Sequence, residues 1–354
     1  MTDENTATAD DDPPLACFAP GCGAVLPWGE WHAHVLGHAL PAQEDRDAWL
    51  LARRSFVGAS EVGAICGVNP FDSALDLWTS KVKGKDRRKP NLEGRSTARL
   101  GHLLEPVLLA DYARRHGVTV EPSPSLRHPS HPWAGATPDG VASDGKLIQV
   151  KLVGAKMLGH WQDGPPHYVT LQVQWELFVS GRAEAVVLAG LGGTDIEEYP
   201  VLRDDDLIEN TRVLVDTFWH DCVLPRRLPQ DFDGAPSDET LRTLYPYARK
   251  PLAAPTDEII ALVRRYIDER KVATDAKGRQ DAIGALLKAR IGEAEGFQWP
   301  AGRVTWKNTK GGLDKDALLG ALLELVPEAE RQTWIDRFTT DAGPRRLDVK
   351  LKGE

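Results

Sequence analysis

The sequence is poor in cysteine, with 4 in 354 residues and two of them close together near the N-terminus. That is too few for a disulfide framework, and it points to a reducing cytoplasm. No apolar run is long enough to span a bilayer, and no basic segment leads into an apolar one. Neither a membrane protein nor a secreted one is therefore expected. There is no surplus of positive charge either: 43 Lys and Arg stand against 52 Asp and Glu, a net charge of −9. A protein that coats nucleic acid non-specifically would be basic, so that role is disfavoured. An enzyme with an acidic metal site and a local basic groove is still allowed. There is no Walker loop and no dinucleotide fingerprint, so ATP-driven work would need a partner.

What is present is enough for a core: 42% of the residues are hydrophobic, and the length suits two or three domains. Residues 1–14 are polar and acidic and are expected to be a disordered tail. Residues 15–40 hold a compact Cys/His unit. A single core is expected over 45–224. Within it, Asp45 to Lys81 reads as helical, broken at Gly67-Val68-Asn69-Pro70. Residues 81–99 form a basic loop on composition. Residues 98–116 read as an amphipathic helix, 118–153 as strands with turns, 168–180 as a helix and Ala185–Leu191 as a buried strand. This order describes an α/β core with a mixed sheet flanked by helices. The Pro-rich stretch 225–256 reads as a linker or wrapped extension. Residues 257–295 read as a packing or self-association helix pair. The remainder to 354 reads as a small α/β tail with strands at Arg303–Lys307 and Arg345–Leu351.

The chemistry concentrates in the core. Ala136-Thr137-Pro138-Asp139-Gly140 sets a carboxylate at a tight turn, and Leu147-Ile148-Gln149-Val150-Lys151 follows as a strand. Strand side chains alternate, so Gln149 and Lys151 share one face while Ile148 and Val150 share the other. An Asp, a second oxygen ligand and a Lys at one hairpin edge suit metal-dependent phosphodiester cleavage. The carboxylate holds a hard cation, and the Lys positions water. Ahead of the turn lies Glu105 in Gly101-His102-Leu103-Leu104-Glu105-Pro106. Behind it lies Gln172 in Tyr168-Val169-Thr170-Leu171-Gln172-Val173-Gln174. Taken singly, a helix Glu, a Pro-Asp-Gly turn and a strand Lys are common and bland. Their joint order carries more weight.

In that order the sequence resembles the YqaJ-type viral recombinase nucleases, a lambda-exonuclease-like branch of the PD-(D/E)XK superfamily. The resemblance runs from Trp49 to Trp219. It includes Arg53-Arg54-Ser55-Phe56-Val57-Gly58-Ala59-Ser60-Glu61-Val62 and Gly67-Val68-Asn69-Pro70-Phe71 besides the pieces above. The resemblance implies a PD-(D/E)XK restriction-endonuclease-like fold. It implies that Asp139 binds metal, that Glu105 helps organise the metal site, that Lys151 is the catalytic lysine and that Gln172 orders water and lysine. It implies that Arg53 and Ser60 hold a DNA 5′-phosphate. A cationic fork and a hydroxyl beside exposed backbone N–H groups suit that role; the plainer reading of Ser60 is a helix N-cap. Gln149 departs from the pattern, which usually has Glu there. The Gln149 carbonyl and the Val150 carbonyl can still supply oxygens to Mg²⁺, with one unit of charge lost. Weaker metal binding is expected, and a preference for Mn²⁺.

The N-terminal unit resembles a C2H2 zinc finger: Cys17-x4-Cys22, eleven residues, then His34-x3-His38, with His32 an alternative first histidine. So small a unit has little core, and Zn²⁺ would supply its folding energy. The segment Trp31–Leu40 has no Arg or Lys, so a structural or protein-docking finger is expected rather than a base reader. The basic loop could track phosphates, and Trp133 and Trp161 are candidates for base stacking.

The leading expectation is a Mg²⁺- or Mn²⁺-dependent 5′→3′ exonuclease acting on duplex DNA ends in phage-type recombination. It would supply single strands to an annealing partner. A homo-oligomer is implied by some relatives. The alternatives are a weak or inactive nuclease-fold DNA-binding protein, for which Gln149 would report a decayed site, and a zinc-finger adaptor.

Overall fold

The computed structural model describes residues 14–41, 45–84, 96–230, 232–247, 254–300, 302–308 and 315–338. The chain divides at Leu244–Tyr245 into two units. The first opens with the hairpin β1 (Leu15–Ala16) and β2 (Val25–Leu26), followed by α1 (Trp28–Val35). Next come α2 (Arg46–Ala52), β3 (Val57–Gly58), the short α3 (Val62–Ile65), α4 (Ala74–Lys83) and α5 (Ser96–His116). Strands β4 (Val120–Glu121), β5 (Leu126–Arg127), β6 (Ala134–Ala136), β7 (Gly140–Ala142) and β8 (Leu147–Val153) follow. Then α6 (His167–Ser180), β9 (Glu184–Leu191), β10 (Asp195–Leu202), α7 (Asp205–Thr217) and α8 (Asp238–Leu244) complete the unit.

The expected mixed α/β core is what the chain forms. One sheet has the order β10-β9-β8-β7-β4, with β8 and β9 parallel and the other neighbours antiparallel. A second, three-stranded sheet has the order β3-β6-β5. Strand β9 is an interior strand buried on both faces, which explains its unbroken apolar run. Its neighbour β10 is an exposed edge strand carrying Glu197, Glu198 and Pro200, and periodicity gave it no apolar signal. The alternation of β8 is as expected. Leu147 and Val153 pack with Val169, Val173 and Leu177 of α6, while Ile148 packs with Leu108 and Tyr112 of α5. The sheet therefore lies between two helices, and Gln149 and Lys151 share the α6 face.

The helical reading of Asp45–Lys81 fails at Phe56. There the chain extends and β3 pairs in parallel with β6, Val57 opposite Ala134. Gly135 explains it: a Cβ there would lie 2.3 Å from the Phe56 ring, so Phe56 packs on bare backbone. This strand holds the following turn, and hence Ser60, against β6. Downstream of α7, Leu224, Leu228, Phe232 and Leu244 pack against the main core. Asp76 Oδ1 accepts from the Ser237 N–H (3.0 Å) and hydroxyl (2.8 Å). Residues 225–230 and 232–244, inside the stretch read as a linker or wrapped extension over 225–256, thus pack on the first unit as a wrapped extension. Trp133 and Trp161, the stacking candidates, are both buried in cores.

The second unit contains α9 (Asp257–Ile291), the hairpin β11 (Gly296–Trp299) and β12 (Gly302–Thr305), then α10 (Lys315–Glu324) and α11 (Glu328–Phe338). The expected helix pair is one continuous helix of 35 residues, N-capped by Thr256. The strand read at Arg303–Lys307 falls on β12; the one read at Arg345–Leu351, and most of the tail 1–14 and the basic loop, lie outside the described residues. Among the described residues no helix is long and apolar enough to cross a membrane.

Candidate active site

Asp139 leaves β6 and enters β7 at a turn. Gly140 pairs with Ile148, and one more step of that register sets Asp139 against Gln149. The Asp139 Oδ2 accepts from the Val150 N–H (2.7 Å) and from Gln149 Nε2 (2.5 Å). Burial, with the nearby charge of Glu105, pushes the Asp139 carboxyl up to about 6, against the pull of Lys151, the Val150 N–H and His102. Glu105, half-buried on α5, is itself raised by burial and held back by Lys151. Lys151 Nζ donates to Gln172 Oε1 at 2.9 Å. Gln172 Nε2 donates to Glu176 Oε1 at 2.9 Å, one helical turn on. Asp139, Gln149, Lys151, Gln172 and, through its charge, Glu105 therefore meet at one place. Gln174 of α6 does not: it bridges the Leu202 carbonyl and the Asp204 N–H.

The donor set suits a hard divalent cation. The charge of Glu105 raises the cost of ionising Asp139. The Val150 carbonyl accepts a long 3.3 Å bond from Gln149 Nε2. Gln149 Oε1 is buried with no hydrogen-bond partner among the described residues. Two carboxylates, a carbonyl and an unsatisfied amide oxygen are oxygen ligands of the kind Mg²⁺ and Mn²⁺ take.

Beside this cluster lies a cleft lined by Arg53, Ser60, Thr137, Gln172 and Glu176, among others. Arg53 is held from behind. Its guanidinium donates to Glu61 Oε1 at 2.5 Å and sits 4.9 Å over the Trp49 ring. Glu61 Oε2 accepts from Lys81 Nζ (2.7 Å) and from the Gly58 N–H (2.8 Å). Lys81 Nζ also donates to the Arg53 carbonyl at 2.5 Å. Glu61 and Lys81 are 4% and 2% exposed, so this is a buried ion-pair network rather than a surface one. Lys81, read as part of a basic loop, belongs to it. Glu61, not Ser60, caps the turn after β3, which leaves the exposed Ser60 hydroxyl beside Arg53 in the cleft. Thr137, Glu61 and Glu176 were missed in the sequence. Thr137 sits two residues before Asp139, and Glu176 one turn after Gln172, so spacing alone could have found both.

The Cys/His unit folds as a hairpin and helix. Cys17, Cys22, His34 and His38 place their ligand atoms within 4.8 Å of one another. Two sulfurs and two imidazoles so gathered suit tetrahedral Zn²⁺. His32 is not among them. It packs against Trp28, Trp31 and Trp219, and burial, with the charges of Arg54, Arg127 and Lys81, lowers it to about 3. Trp28 Nε1 donates to the Leu224 carbonyl at 3.3 Å, and Arg54 lies 5.3 Å over the Trp28 ring. Phe18, Trp31 and Val35 form a cluster with Ala52 of α2. The buried face of α1 is thus spent on the core.

Residues 48–183 match the YqaJ-like viral recombinase domain. The chain is similar to the YqaJ protein of Bacillus subtilis (strain 168), 30% identical over 216 residues, covering 58% of this chain and 66% of that one. It is 25% identical over 171 residues to protein R354 of Acanthamoeba polyphaga mimivirus, covering 44% and 30% respectively. The match thus spans less than two thirds of each of these relatives. Among solved structures, it is similar to an alkaline exonuclease (LHK-Exo) from Laribacter hongkongensis, with 22% identity and a TM-score of 0.41 over 49% of this chain and 91% of that one. A phage-related exonuclease from Haemophilus somnus 129PT matches with 13% identity and a TM-score of 0.37, over 48% and 94%.

Proposed function

We propose, for a chain that carries a YqaJ-like viral recombinase domain over residues 48–183, that it is a metal-dependent deoxyribonuclease. It degrades duplex DNA from an end, 5′→3′, in phage-type recombination. The observation that carries this is the meeting of Asp139, Gln149, Lys151 and Gln172, the last of which lines a cleft together with Arg53 and Ser60. Asp139, Glu105, the Val150 carbonyl and Gln149 Oε1 would hold Mg²⁺ or Mn²⁺. Such an ion supplies charge to the scissile phosphate and acidity to its bound water. Lys151, fixed through Gln172, positions the attacking water. Arg53 and Ser60 grip the terminal 5′-phosphate, so each cut is registered to the end of the strand. The single strand left behind is a substrate for an annealing partner.

The site asks one thing of Gln149. Its amide now turns Nε2 to Asp139 and must rotate to bring Oε1 there. Incubating end-labelled duplex with Mg²⁺ or Mn²⁺ tests the reading against Lys151→Ala. Metal-dependent shortening by the native chain alone supports it. No cleavage by the native chain, and none gained in Gln149→Glu, would sink it. That result would favour the second reading, a DNA-binding protein in which the Gln149 amide occupies the carboxylate oxygen that metal needs.

The Cys/His unit is proposed to hold one structural Zn²⁺ per chain. Metal analysis should find that zinc lost in Cys22→Ser; no difference between the two proteins would remove the assignment.

A further inference from the structure

Glu176 is a buried acid beside this site whose role no sequence pattern supplied. It is wholly inaccessible, yet it lines the same cleft as Arg53, Ser60 and Thr137. Its two oxygens have different surroundings. Oε1 accepts the Gln172 Nε2 hydrogen bond at 2.9 Å. Oε2 is buried and has no partner among the described residues. Burial pushes the carboxyl up to about 8, so at neutral pH Glu176 carries a proton. That makes Oε2 a hydroxyl with no acceptor, a costly state unless something fills it.

Gln172 supplies the second half of the argument. A lysine ammonium can only donate, so Lys151 requires the carbonyl end of the Gln172 amide. The amino end must then find an acceptor on the other side, and Glu176 Oε1 is that acceptor. Without it the amide could turn over and present N–H groups to Lys151.

We propose that Glu176 serves this site twice: as a neutral donor to an oxygen of the terminal phosphate, and as the residue that holds Gln172 toward Lys151. This rests on the reading of the cleft as a 5′-phosphate site. The recognised group is a phosphate monoester at a DNA end. Arg53 supplies charge, Ser60 and Thr137 supply hydroxyls, and Glu176 adds a donor without adding negative charge. An ionised carboxylate in that place would repel the ligand. Through Gln172, the same side chain ties occupancy of the phosphate cleft to the position of the catalytic lysine.

The experiment uses the full chain with zinc retained and compares Glu176→Met with Glu176→Gln. Methionine keeps the volume and abolishes the polar role; glutamine keeps one acceptor and one donor. Thermal unfolding checks that both fold. Binding to a hairpin duplex bearing a 5′-phosphate or a 5′-hydroxyl is read by fluorescence anisotropy, with Ca²⁺ replacing Mg²⁺. Cleavage of both duplexes then gives kcat and KM. The native chain should prefer the phosphate. Glu176→Met should lose about tenfold or more of that preference in Kd and lower kcat as well, because Gln172 is released. Glu176→Gln should recover most of both. If Glu176→Met keeps the native preference while Arg53→Met loses it, the role of Glu176 is overturned and the phosphate site stands. A glutamine variant as poor as the methionine one would overturn the neutral-donor role. Should the native chain show no preference, with Arg53→Met silent too, the phosphate site itself fails and this inference with it.

Discussion

Two buried polar clusters lie side by side in the first unit, and they are built on opposite rules. Around Glu61 every group is used: both carboxylate oxygens accept, from Arg53, Lys81 and the Gly58 N–H, and Lys81 reaches the Arg53 carbonyl as well. Around Asp139 the pairing is incomplete. Gln149 Oε1 and Glu176 Oε2 are buried without partners among the described residues, and the charge of Glu105 opposes the ionisation of Asp139. A satisfied cluster holds its neighbours still. An unsatisfied one stores a need that a ligand can meet. The first cluster fixes the shape of the cleft lined by Arg53 and Ser60, and the second leaves open positions for a ligand.

Substitutions can break this contrast, and the largest effect should come from Lys151. Lys151→Ala should reduce cleavage by about 10³-fold or more, while unfolding in denaturant moves little. A loss of stability to match the loss of rate would show that the second cluster is structural after all. Glu61→Ala should do the reverse. It removes the carboxylate from the buried Lys81, the partly buried Arg53 and an N–H, so unfolding experiments should register a cost of about 3–5 kcal/mol. A midpoint equal to that of the native chain would mean that the network is not holding Arg53.

A smaller effect separates the clusters by pH. The Glu176 carboxyl, raised to about 8 in the fold by burial, faces the opposing charges of Lys151 and Asp139. Unfolded, it would titrate near the ordinary value of 4.5. The folded state therefore binds the extra proton between these values. Its contribution to stability is complete below 4.5 and is lost as pH rises toward 8. Glu176→Gln should flatten that part of the stability profile; an unchanged slope would assign it to another group. Least of all should come from Asp111→Ala, which removes exposed pairs with Arg114 and Arg115 on α5. Denaturant midpoints should not shift measurably there.

Much of the second cluster was legible because its parts are local. A Pro-Asp-Gly turn, a strand of period two and a helix of apolar spacing each have a signature a few residues long. Those signatures put Asp139, Gln149, Lys151 and Gln172 on their elements correctly. The first cluster was not legible, because Lys81 and Glu61 are twenty residues apart and nothing local marks them as partners. By composition Lys81 belonged to a basic run, and only the fold turns it inward. Phe56 misled for a similar reason. Its spacing suits a helix, and the force that extends it is the bare backbone of Gly135, on another strand. The amide orientation of Gln149 was also out of reach, since it depends on which atom of a neighbour needs a proton.

The way α1 is spent on the core bears on how this protein can be cut. Trp31 is wholly buried, and His32 packs edge-on against Trp219 of the core. A fragment begun at the α/β core for convenience would lay bare Ala52, Trp219 and the Leu224 carbonyl together, an apolar patch with a stranded acceptor in it. The N-terminal unit is better regarded as one wall of the α/β core than as a module attached to it. Fragments that omit it should self-associate even when Asp139, Lys151 and Gln172 are intact.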